Sequence, residues 1–113
     1  MSDPRGRALQ NALANYLTQW WPHAESAGAG RQGSDVLGTP GVVWECKTAR
    51  RFKEGFRPLE WVAQSKRHAA DNWEDLPVTV YFPSGVGIAK TEHALAIVPL
   101  HVLMQLLKEA GYC

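Results

Sequence analysis

The chain has 113 residues, a formal net charge of +1, and 45% hydrophobic and 20% charged residues, the profile of an ordinary globular domain. A balance so near neutral excludes a generally polybasic protein, so any affinity for nucleic acid must come from local clustering of cations. The two cysteines, Cys46 and Cys113, exclude a disulfide framework and point to a reducing compartment, with a cytoplasmic location as the expectation. No apolar run approaches the ~18 residues of a membrane span, and the first residues lack a basic-then-apolar signal pattern. Residues 1–113 read as one domain, long enough for a single core.

Asp3 and Pro4 suit the N-cap and first turn of a helix. Leu9, Ala12, Leu13, Tyr16, Leu17 and Trp20 recur at spacings of three and four, which predicts one buried face up to a stop at Pro22. Gly28 to Gly33 spells G-x-G-x-x-G, but a dinucleotide fingerprint needs a strand before it and a helix after it. Here a helix and a proline precede it. The segment reads either as a plain linker or as a loop whose backbone, with Ser26 and Arg31, approaches a DNA phosphate.

Val36-Leu37 and Val42-Val43 flank Gly38-Thr39-Pro40-Gly41, a pattern for two short strands and a tight turn with Gly41 in a left-handed conformation. Counting outward sets Leu37 against Val43, Val36 against Trp44 and Asp35 against Glu45. Opposed residues share a face with Cβ atoms roughly 4.5–5.5 Å apart, and Lys47 follows on that face about 6.6 Å along the strand. Two carboxylates so close repel unless one is protonated or a cation lies between them. Mg²⁺ or Mn²⁺ would suit such a pair. On spacing alone, three solvated side chains on an open hairpin, with Lys47 paired to Glu45, explain the pattern equally well.

Beyond the hairpin, Lys47, Arg50, Arg51, Lys53, Arg57, Lys66 and Arg67 face only Glu54 and Glu60, and Phe52 and Phe56 interleave them. That mixture fits a surface that tracks phosphates. Pro58 opens a second helix with Leu59, Val62, Ala63, Lys66, Ala70 and Trp73 along its expected inner face. Gln64 lies at the margin of that stripe, and Trp61 falls off it, free for the basic loop, a partner subunit or a base. Pro77–Phe82 reads as an internal strand and Ala94–Val98 as another. Leu100 to Ala110 reads as a last helix with Leu100, Leu103, Leu106 and Leu107 inward and Gly111 as its stop. His23, His68, His93 and His101 share no metal-ligand spacing, and no Ser-His-Asp or Cys-His arrangement is readable.

Asp35, followed after a hydrophobic strand by Glu45-Cys46-Lys47, resembles the motif of the PD-(D/E)xK nuclease superfamily. With Glu25 to Gly30 before it and Leu76 to Phe82 after an intervening helix, it is similar to archaeal-type and phage Holliday-junction resolvases. Ser34 stands where the motif's name has proline. The resemblance implies a restriction-endonuclease-like α/β fold with an αβββαβ core, a first strand near Pro22–Ser26, and a C-terminal helix. It also implies a Mg²⁺- or Mn²⁺-dependent endonuclease acting as a homodimer on branched DNA in a prokaryotic or phage-infected cytoplasm. Asp35, Glu45 and the Cys46 backbone carbonyl would be metal ligands, and Lys47 and Gln64 would be catalytic. Related nucleases often carry a third acid on the first helix. Here Gln10 occupies roughly that place, and Glu25 is the nearest further carboxylate. Candidate DNA contacts are Ser26, Arg31, Arg50, Arg51, Lys53, Lys66 and Arg67, with Trp61 and the C-terminal leucines as candidate interface residues. The alternatives are a nuclease of the same fold on linear or single-stranded DNA, and a catalytically inactive DNA-binding module.

Overall fold

In the computed structural model, residues 4–28, 33–48, 56–69 and 75–113 are described. Their elements run α1 (Pro4–Leu17), β1 (Glu25–Ser26), β2 (Val36–Leu37), β3 (Val42–Thr48), α2 (Pro58–Ala69), β4 (Leu76–Phe82), a 3₁₀ turn (Ile88–His93), β5 (Leu95–Ile97) and α3 (Leu100–Glu109). β3 and β4 pair in parallel, with α2 between them in the chain, and β5 pairs antiparallel with β4. The architecture is therefore α/β with a mixed sheet. β1 and β2 form a separate antiparallel pair.

Alternation along β3 and β4 divides the sheet into two unlike faces. Trp44, Cys46, Val78, Val80 and Phe82 join Val36 and the α1 residues Leu9, Leu13, Ala14 and Leu17 in one apolar core. The intervening residues Glu45, Lys47, Thr79 and Tyr81 face the other way, towards α2, which packs on β3 and β4. Phe82, at 1% exposure the largest fully buried side chain, anchors the apolar layer. Phe82→Ala is expected to cost about 3–5 kcal/mol, readable as a lowered urea midpoint.

Four sequence expectations change. α1 ends at Leu17, before Pro22, and Trp20 lies exposed in the following turn against the edge of Tyr16. α2 turns a different face inward: Trp61 and Ser65 are buried, Gln64 is half-buried, and Leu59 and Ala63 are exposed. The reason lies in the sheet, whose polar Glu45–Lys47–Thr79 side matches a polar helix face. The Ser65 and Thr79 hydroxyls accordingly share a buried hydrogen bond of 2.9 Å. Trp61 is thus an internal residue, stacked with Phe56 and Tyr81, and is removed from the candidate interface. On α3 no residue is buried, and Leu100, Leu103, Met104 and Leu106 are exposed. Its apolar stripe is real, but it does not face this chain's core.

The hairpin register also changes. β2 forms its ladder with β1, Glu25 opposite Leu37 and Ser26 opposite Val36. The turn has Gly38 and Gly41 at φ +82° and +86°. A side chain at Gly38 would meet the His23 carbonyl oxygen at 2.3 Å, so this close approach admits only glycine.

Candidate functional site

Asp35 lies where β2 changes partner. Its carbonyl accepts from the Ala27 N–H (2.9 Å), but its own N–H donates to the Trp44 carbonyl on β3 (2.8 Å). The Ala27 carbonyl is therefore released from the ladder, and Gln10 of α1 takes it up, Nε2 donating to it at 3.0 Å and to Ser26 Oγ at 2.9 Å. Because a carbonyl can only accept, the amide orientation of Gln10 is fixed. Its Oε1 is left buried, with no hydrogen-bond partner among the described residues. Gln10 thus enters the same opening in the strands as Asp35.

The Asp35 carboxylate reaches β3 directly, Oδ2 accepting the Cys46 N–H at 2.7 Å. It rests on the peptide between Glu45 and Cys46, not opposite Glu45 as simple hairpin counting predicts. Ser34 explains much of this geometry. Its Oγ accepts the Trp44 N–H (2.9 Å) and donates to the Val36 carbonyl (2.7 Å), a latch that proline could not make. The N–H and C=O of one strand residue point to the same side and alternate along the strand. Trp44 directs both groups towards β2, and Cys46 directs its N–H there. The Cys46 carbonyl therefore leaves β3 on the edge that holds the Asp35 carboxylate.

Glu45, 4% exposed, lies on the α2 face of the sheet, paired in register with Thr79. Lys47 follows on that face, half-buried, and its Nζ donates to Gln64 Oε1 at 2.9 Å. The helix that turns Ser65 onto Thr79 thereby turns Gln64 onto Lys47. Burial pushes the Cys46 thiol up to about 12, and the nearby Asp35 and Glu45 charges add to the rise. Both carboxylates are thus close enough to act on one residue, and the neutral thiol is neither a nucleophile nor a soft metal ligand.

Cys46 also supplies two checks. In the native protein near neutral pH, Cys113 is expected to react rapidly with a disulfide reagent, whereas Cys46, 1% exposed, reacts only on unfolding; thiol counting with and without urea decides this. An unfolded Cys46 ionises near its ordinary 9.0, the folded one only near 12. Its contribution to stability is therefore present below pH 9 and falls as pH rises from 9 towards 12.

Other predicted residues are placed differently. Glu25 is exposed and opposite Leu37, two residues along from the Ala27–Asp35 contact. Among the described residues no three His, Cys, Asp or Glu side chains gather as a metal cluster, so Glu25 does not join Asp35 and Glu45. Ser26 is half-buried, and its Oγ accepts a hydrogen bond from Gln10 of α1. Lys66 and Arg67 are exposed on α2. Arg31, Arg50, Arg51 and Lys53 lie outside the described residues, as do Asp3, Phe52, Ala70 and Trp73. No protein family, curated protein or solved structure matches this chain. Sequence reasoning missed the Ser34 latch and the Ser65–Thr79 bond; a hydroxyl directly before a motif acid, and a serine next to Gln64, were the available signals. Among the described residues no helix is long and apolar enough to cross a membrane.

Proposed function

We propose that this chain is a metal-dependent DNA endonuclease of the restriction-endonuclease-like fold, with branched DNA such as a four-way junction as its substrate. One observation carries the reading. The Asp35 carboxylate rests on the Glu45–Cys46 peptide, while Lys47, the next residue, is steered by Gln64. A structural ion pair needs no such arrangement, in which the ammonium is held by a neutral amide.

The oxygen-rich donor set fits Mg²⁺ or Mn²⁺, which are held by one or two carboxylates together with neutral oxygens, waters and substrate phosphate. Asp35, Glu45 and the Cys46 carbonyl would hold the ion, and the buried acceptor Gln10 Oε1 would supply a neutral oxygen where related nucleases have an acid. When bound, such an ion lowers the pKa of water and neutralises charge on the scissile phosphate. Lys47, kept in line by Gln64, directs positive charge at the phosphate oxygens, where negative charge grows in the transition state. Gln64 acts as a positioning residue by accepting one of the three ammonium protons and leaving two for substrate.

Two cuts in a junction call for two sites, hence a homodimer with two-fold symmetry. The exposed apolar side of α3 supports that assembly, since a stripe of Leu100, Leu103, Met104 and Leu106 could form the centre of an interface of about 800 Å² per partner. Leu103→Asp with Leu106→Asp is expected to convert the dimer into a monomer in light scattering while the fold is retained. The substrate test is incubation with four-way junction, linear duplex and single-stranded DNA in Mg²⁺ or EDTA. Cleavage of the junction in Mg²⁺ alone, and binding to it at least about ten-fold tighter than to duplex, about 1.4 kcal/mol, is the expected result. Equal cleavage of linear and branched DNA by a monomer would favour the general nuclease.

A further inference from the structure

Lys47 has an aromatic neighbourhood that neither the cation site nor the core requires. Tyr81 is its register partner across the parallel β3–β4 pair, so their side chains lie side by side on the α2 face, on strands about 4.8 Å apart. Trp61 packs on Tyr81 with ring centroids 5.2 Å apart, and Phe56 completes the group at 5.0 Å from Tyr81 and 5.3 Å from Trp61. The three rings are not equivalent. Trp61 is 8% exposed and Phe56 58% exposed, so Phe56 is the outermost ring, held by the other two and open to solvent on its remaining side. Phe56 also stands two residues before α2, and the carbonyl of its neighbour Arg57 accepts the Trp61 N–H in the first turn of the helix that positions Gln64.

We propose that the open side of Phe56 is a stacking platform for one unpaired nucleobase of the DNA strand whose phosphate is engaged at Lys47. The proposal rests on the nuclease reading and names a substrate feature that it does not contain. The distance suits a single strand. Strand spacing and ring contact together put Phe56 on the order of 10 Å from Lys47, one to three nucleotides along a strand that advances at least about 3.4 Å per nucleotide. The surroundings favour nucleic acid over an apolar protein partner, because Lys47 shares the sheet face with Tyr81 and the exposed Arg57, paired with Glu60 at 3.4 Å, directly follows Phe56, with Lys66 and Arg67 exposed further along α2. An aromatic face in line with a cation such as Lys47 is the combination that binds single strands without sequence preference. A base inside a continuous duplex has no free face to offer, so the platform selects junction centres, flaps and single-stranded arms.

The test measures binding in EDTA, where cleavage is absent, to a junction with unpaired nucleotides at its centre and to a fully paired duplex of equal length. Wild type is compared with Phe56→Ala, Phe56→Leu and Phe56→Trp. Phe56→Ala is expected to weaken binding to the unpaired substrate about 5- to 150-fold and to leave duplex binding within about two-fold. Phe56→Leu keeps an apolar contact with Trp61 and Tyr81 but has no aromatic face, and should behave as Phe56→Ala does; Phe56→Trp should bind as wild type. Wild-type binding by Phe56→Leu would overturn the proposal and identify an apolar docking face instead. Equal losses on both substrates would also overturn it, as a merely structural effect. A parallel Mg²⁺ cleavage assay separates the two readings. Cleavage with no selective effect of Phe56 removes the platform alone, whereas a selective binding effect without cleavage removes the nuclease reading alone.

Discussion

Asp35→Asn is expected to abolish Mg²⁺-dependent cleavage, by about a thousand-fold or more, while DNA binding persists or tightens. The structure makes this substitution a clean probe. An asparagine oxygen can still accept the Cys46 N–H that Asp35 Oδ2 accepts at 2.7 Å, so the link from β2 to β3 survives and only the charge is lost. Glu45→Gln should give the same phenotype from the α2 face of the strand. Removing either carboxylate lessens its repulsion of phosphate, which is why affinity should hold or rise. Near wild-type cleavage by either variant would show that the reaction runs elsewhere.

The second large effect belongs to Lys47. Lys47→Ala should lower the cleavage rate about a hundred- to a thousand-fold with little loss of affinity, since its charge acts mainly on the transition state. Gln64→Leu should lower the rate less, because the ammonium remains but loses the 2.9 Å contact that aims it. Arg50→Ala with Arg51→Ala should do the reverse. Affinity should fall and its salt dependence flatten, each lost phosphate contact removing about 0.9 from the log–log slope. Equal effects of the lysine and arginine changes on affinity alone would reduce Lys47 to one more phosphate contact.

Much of the site was legible because β3 obeys a simple period. Alternation alone puts Glu45 and Lys47 on one face and Trp44 and Cys46 on the other, as observed. The Asp35 geometry was less legible, since hairpin counting assumes that β2 pairs with β3. The Ser34 hydroxyl, the Asp35 carboxylate and one backbone hydrogen bond instead hold the two together, and side-chain latches leave no periodic trace. The α2 orientation was misread for a related reason. A helix stripe is found by seeking apolar residues, but the sheet surface under α2 carries Glu45, Lys47 and Thr79, so the helix turns Gln64 and Ser65 inward. The α3 stripe was correctly seen as apolar, yet periodicity reports only that such a face exists, not which surface covers it.

The most direct measurement is calorimetric titration of Mn²⁺ into the wild-type protein and the Asp35→Asn and Glu45→Gln variants. The account predicts binding in the wild type that weakens strongly in each variant, with circular dichroism showing all three folded. Unchanged Mn²⁺ binding in both folded variants would contradict a cation site at Asp35, Glu45 and the Cys46 carbonyl.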